Sequence, residues 1–167
     1  MNKKIKISII IIAIIILAIS VVIGLSLKSN IIILGNTKKV ELYEEPVKNM
    51  IEGIQNLDEN KYNSAFPEFI KYKITKEQIN EIMNNYIQMC GEDIKISYEI
   101  VAKEDISENN LKVIQDNIKI YYDHTCSVTK GYRLEVKRII KGKDSEQEII
   151  NPMKIYEIEG KWYSIAF

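Results

Sequence analysis

Residues 75–103 read TKEQINEIMNNYIQMCGEDIKISYEIVAK, and a change of period inside this stretch decides the fold. Thr75-Lys76-Glu77-Gln78 fits a capping box, in which side chains satisfy the free N–H groups of a helix start. Ile79, Ile82, Met83, Tyr86, Ile87 and Cys90 then recur at steps of three and four, the spacing of one helical face. Gly91 is the natural stop. From Ile94 the step becomes two: Ile94, Ile96, Tyr98, Ile100 and Ala102 alternate with Lys95, Ser97, Glu99, Val101 and Lys103. That is a strand with one buried face. A helix followed at once by an amphipathic strand points to an α+β domain.

The flanks agree. On the N-terminal side, Pro46 suits a first helical turn, where its missing N–H costs nothing, and Val47, Ile51, Ile54 and Leu57 follow at helical spacing. After the polar break Asp58-Glu59-Asn60, a short segment carries Tyr62, Ala65, Phe66, Phe69 and Ile70 and is interrupted by Pro67. On the C-terminal side, Ser107 is placed to cap a helix with Leu111, Ile114, Ile118 and Tyr121 inward, although its end, 118–122, also fits a strand. Tyr132, Leu134 and Val136 mark a second strand. Lys141-Gly142-Lys143-Asp144 reads as a hairpin turn. A long strand follows over about 148–158, with Pro152 implying an edge or a bulge. Glu159-Gly160 turns the chain into a last strand, 161–167. The expectation is α+β, with helices packed on one face of a curved four-stranded antiparallel sheet over residues 40–167.

Residues 7–27, ISIIIIAIIILAISVVIGLSL, contain no charge. A helix of that length spans roughly 31 Å, about the hydrocarbon thickness of a bilayer. Lys3, Lys4 and Lys6 precede it, so the positive-inside rule keeps residues 1–6 in the cytoplasm. Residues 28–39 then form a linker, and the domain lies outside the cytoplasm on a single-pass anchor at the cell membrane. The alternative is a signal peptide cleaved after Ala18-Ile19-Ser20. Continuation of the apolar run through Val21, Val22, Ile23 and Leu25 favours the anchor. No cysteine follows the run, so a lipid-modified N-terminus is not expected. Both readings export the domain.

The whole chain has 23 basic and 23 acidic residues, but residues 1–30 hold Lys3, Lys4, Lys6 and Lys28 and no acid. The remainder is therefore acidic by about four charges. That disfavours nucleic acid, whose binding needs a basic face to displace counterions, and no nucleic-acid partner is expected. The one histidine, His124, stands in Asp123-His124-Thr125-Cys126 without a nucleophile elbow or protease context, so no catalytic residue is assigned. Cys90, His124 and Cys126 are too few for a structural zinc site. No Gly-rich phosphate loop or calcium loop occurs, and no cofactor or metal is expected. Two cysteines in an exported domain leave two readings open. A Cys90–Cys126 disulfide would close a loop of about 36 residues and stabilise by roughly 3–4 kcal/mol; otherwise Cys90 is a buried apolar residue finishing its helical stripe.

Leu57-Asp58-Glu59-Asn60-Lys61-Tyr62, which ends the first helix, and Ile158-Glu159-Gly160-Lys161-Trp162-Tyr163, in the last hairpin, carry a resemblance. Over roughly residues 45–167 the chain resembles the nuclear transport factor 2-like (cystatin-like) superfamily, and within it the membrane-anchored or lipoprotein-type exported domains of unknown function. The Thr75–Cys90 helix and the helix between the first two strands depart from the usual pattern. The resemblance implies a cone whose interior Tyr86, Tyr98, Tyr132, Tyr156 and Trp162 would line. It embraces enzymes, adaptors and binding domains, so fold does not choose among them. The reading that suits the missing chemistry is a non-enzymatic domain binding a small ligand or an envelope protein. The alternatives are an isomerase- or hydrolase-type envelope enzyme using the cone cavity, and a subunit that forms a homodimer through its open sheet face.

Overall fold

The computed structural model describes residues 41–165. The cytoplasmic stretch 1–6, the apolar run 7–27 and the linker 28–39 lie outside the described residues. No described helix is long and apolar enough to cross a membrane.

A 3-10 turn, Leu42–Glu44, leads into α1, Glu45–Gln55, with Pro46 in its first turn. Val47, Ile51 and Ile54 are buried as their spacing predicts. Leu57 is not: it follows the helix end, takes a left-handed φ of 54° and is exposed. α2 is short, Glu59–Asn63, and Asp58 caps it by accepting from Lys61 N. Residue 53 must be glycine, because a Cβ there would sit 2.6 Å from the backbone nitrogen of Tyr62 where α2 crosses α1. α3 runs Lys76–Cys90 with the full Thr75/Gln78 capping box, and Gly91 ends it at φ 84°.

β1 spans Lys95–Asp105, α4 Glu108–Tyr122, β2 Val128–Lys141, β3 Glu146–Ile158 and β4 Lys161–Ser164. The four strands form one antiparallel sheet in the order β1-β2-β3-β4. Ser107 caps α4, which runs to Tyr122, so the ambiguous end is helical. Leu111 and Ile118 face inward, whereas Tyr121 is exposed. Pro152 sits in β3 opposite Glu135, beyond the reach of β4, which pairs only with Ile155–Ile158. The missing N–H of Pro152 therefore falls on a free edge, as the sequence implies.

The helices do not lie on one face of the sheet, as the sequence order suggests, but are shared between its two faces. In β3, neighbouring Ile155 and Tyr156 are both fully buried, and neighbours on a strand point to opposite faces. Ile155 packs with Leu134 and Val136 against Val47 and Ile51 of α1. On that same face, Ile140 meets Ile54 of α1 and Tyr86 and Cys90 of α3. Tyr156 packs on the other face with Leu111 and Ile118 of α4, Val128 and Ile158. We call these the inner and outer faces. Gly131, opposite Tyr156, lets α4 come close: a Cβ there would lie 2.9 Å from both the Leu111 and Tyr156 side chains.

One strand departs from strict alternation. The β1–β2 register shifts between Ile100 and Ala102, with Ile100 opposite Val136 and Ala102 opposite Glu135. This bulge turns Ala102 outward and Lys103 inward, the reverse of the reading from period alone.

The far end of the sheet is locked to α3. The carbonyls of Met89 and Cys90, left free at a helix end, accept from the β2–β3 turn: Ser145 Oγ to Met89 O at 3.0 Å, Asp144 N to Cys90 O at 2.9 Å. Lys143 N also donates to Glu92 O at 2.8 Å. A Cβ on Gly142 would collide with the Cys90 carbonyl and side chain. Gly142→Ala should therefore destabilise the domain by about 1–3 kcal/mol, as overpacking does, measured by thermal or urea unfolding.

Candidate functional site

On the inner face the aromatic residues expected to line a cavity fill space instead. The Tyr132 and Trp162 rings stack at 5.1 Å with planes 7° apart. Tyr43 meets both edge-on, at 5.2 and 6.3 Å. Lys103 Nζ, turned inward by the bulge, lies 4.5 Å from the Tyr43 ring centre and 4.6 Å from that of Tyr132, a cation–π geometry. The cluster is closed on its own lysine. Periodicity identified Tyr132 and Trp162 but missed Tyr43, which precedes the first helix, and Lys103, which needs the bulge.

Tyr86 and Tyr98 belong to a second group on the same face. Arg138 donates to the Tyr86 hydroxyl at 3.0 Å and to Asn151 Oδ1. Tyr98 is the register partner of Arg138. Desolvation, with Glu44 and Glu52 adding to it, pushes the Tyr98 phenol up to about 12. Burial also raises Tyr62 and Tyr86, against the opposing charge of Arg138. Glu44 is buried, and its Oε1 has no hydrogen-bond partner among the described residues.

The remaining reactive side chains are committed to packing. Cys90 and Cys126 are free, buried thiols in different clusters, so the disulfide reading is corrected. Cys90 completes the α3 stripe, with Sγ 3.6 Å from the Ile140 carbonyl. Burial, then the charge of Glu159, raises the Cys126 thiol. His124 stacks on Phe69 at 4.5 Å. Among the described residues, no three His, Cys, Asp or Glu side chains converge as metal ligands.

An open concavity lies on the outer face. A cleft of about 250 Å³ separates the first half of α4 from the sheet. Ile106, Asn110, Val113 and Ile114 form the helix wall; Arg133, Lys154 and Tyr156 form the sheet wall. Tyr156 is thus placed on the face opposite Tyr86, Tyr98, Tyr132 and Trp162, because its β3 position has the other parity. Burial raises its phenol, with the Arg133 charge opposing, so at neutral pH it is a hydroxyl donor. The cleft wall contains no carboxylate, imidazole or thiol. Arg133, Lys154 and the Tyr156 hydroxyl equip it for charge and hydrogen-bond recognition.

Two outcomes follow. Both thiols should resist a thiol reagent in the native protein and both should react on unfolding, with thermal stability unchanged by reductant. Stability should also fall at high pH. An unfolded tyrosine ionises near 10 and folded Tyr98 near 12. Its contribution is complete below pH 10 and is lost as pH rises from 10 to 12. Glu44→Gln should move the Tyr98 phenolate titration downward while leaving it above 10, since burial is the larger cause.

Compared with known proteins, the chain matches no protein-family model, and no curated protein is significantly similar to it.

Proposed function

We propose that this chain is a single-pass membrane protein whose described domain lies outside the cytoplasm and serves as a non-enzymatic binding module of the cell envelope. In this reading residues 7–27 span the membrane, and the domain is a variant of the nuclear transport factor 2-like cone, with a helix inserted between its first two strands. The observation that carries the binding assignment is the pairing of a self-filled inner face with an open, cationic outer cleft whose wall holds no carboxylate, imidazole or thiol. The isomerase-type alternative needs an ionisable pair inside the cone, where Tyr132, Trp162 and Tyr43 pack on one another and on Lys103. A dimer through the open sheet face gains little support. The uncovered outer strip exposes Ile150 and Val101, but Lys137 and Glu148 form an ion pair across it at 2.8 Å, and charged strips are poor candidates for apolar burial.

Export and anchoring can be tested together. Alkaline phosphatase fused after Phe167 should be active in a bacterial host, and the fusion should stay in the membrane fraction after alkaline carbonate washing. A fluorescent cytoplasmic fusion with inactive phosphatase would contradict the orientation. Release of an active fusion into the medium would contradict the anchor and favour signal-peptide cleavage.

A further inference from the structure

We infer that the cleft between α4 and the outer face of the sheet binds a small anion with a short apolar body. Arg133 and Lys154 would hold its carboxylate or phosphate, and Ile106, Val113 and Ile114 its body. This assignment rests on the binding function proposed above and names its ligand class.

The first observation is a pair of like charges. Arg133 and Lys154 are direct partners in the β2–β3 register, an arrangement that destabilises a sheet. Other cations on this face have acids beside them: Lys137 has Glu148 at 2.8 Å and Lys141 has Glu146 at 3.9 Å. Arg133 reaches only Glu104, at 3.9 Å with both side chains exposed. Such a contact is worth little. Lys154 forms no ion pair within 4 Å among the described residues. Two cations facing one cleft without neutralisation form the arrangement that an anion completes, and the planar fork of arginine suits a carboxylate or a phosphate.

The second observation is Tyr156. It is 1% exposed and lines the cleft. Its hydroxyl makes no hydrogen bond to another described residue. The hydroxyl keeps its contact with solvent at the cleft, where a bound oxyanion beside Arg133 would accept from it. The third is the wall opposite. Val113, 54% exposed, lines the cleft and continues the apolar surface of Ile106 and Ile114.

Size and field narrow the ligand. About 250 Å³ lies below the usual range of drug-sized pockets, about 300–1,000 Å³, so the body is a few carbons long. The cationic cleft is set in a domain that is acidic overall, which repels anionic polymers and lipid surfaces while leaving a local site for a small anion.

The test uses the full chain reconstituted in nanodiscs of zwitterionic lipid, read by methyl shifts of Ile106, Val113 and Ile114. The probes are hexanoate, hexyl phosphate, hexanol, hexylammonium and acetate. Saturable shifts are expected with hexanoate or hexyl phosphate, and the stronger of the two identifies the head group. Acetate should bind about tenfold more weakly or worse for want of an apolar body. Arg133→Gln and Lys154→Gln should each weaken binding about tenfold or more, and Tyr156→Phe several-fold. Lys137→Gln, which removes a cation outside the cleft, should change nothing. Unchanged melting curves would establish that the exposed-residue variants fold. Hexanoate binding that ignores both Arg133→Gln and Lys154→Gln would overturn the assignment. Hexanol binding as tightly as hexanoate would overturn the anion class while leaving a binding cleft. Silence with every probe would overturn the cleft as a ligand site and, with it, the binding function in this form.

Discussion

β2 and β3 pair in unbroken register from Lys141↔Glu146 to Lys130↔Glu157, and every other element is positioned by that ladder. Alternation along it sends Leu134, Val136 and Ile155 to one face and Gly131 and Tyr156 to the other. Because both sets are buried, neither face can be left to water at this end of the sheet. One helix layer cannot satisfy both. α1 and α3 cover the inner face, and α4, inserted between β1 and β2, returns across the outer one. A slip of one residue would exchange the two sets and strand both helix layers on the wrong side chains. The register is pinned at its far end by the hairpin turn, whose N–H groups and Ser145 hydroxyl cap the last carbonyls of α3.

This two-sided arrangement separates packing from recognition. The inner face spends its aromatic rings on one another, and exposed Lys103 lies over the rings of Tyr43 and Tyr132. The outer face is sealed only where Leu111 and Ile118 of α4 reach the sheet. Beside that contact a gap remains, and the sheet side chains that face it are Arg133, Lys154 and the edge of Tyr156. The cleft is thus a consequence of covering a sheet with a single helix, whose flank leaves a gap beside its buried stripe. Its charge is not: a like-charged register pair carries a cost that the fold itself does not require.

Much of this architecture was legible because it depends on local rules. The Thr75/Gln78 box, the stop at Gly91, the change to period two at Ile94 and the edge position of Pro152 each follow from the geometry of a few consecutive residues. What was not legible depends on contacts distant in the chain. Nothing near Val101 announces a bulge, so Ala102 read as inward and Lys103 as outward. Tyr156 has the same residue type and strand setting as Tyr132, and only the register shows that their faces differ. Leu111 and Ile118 reveal an amphipathic helix but not which side of the sheet it will choose. Cys90 and Cys126 stand at plausible element ends, yet they belong to separate clusters. The cleft was missed for the same reason, since Arg133 and Lys154 become neighbours only through β2–β3 pairing.

The division of helices between the faces is the claim on which the site depends, and proton–proton proximity tests it directly. In a methyl-labelled sample of the full chain, nuclear Overhauser contacts of the Leu111 methyls are the decisive observation. The account predicts strong contacts to the Gly131 α-protons and the Tyr156 ring, with the Val47 methyls contacting Leu134 and Ile155 instead. Leu111 contacts to Leu134 or Val136 would place α4 on the inner face, abolish the cleft and contradict the account.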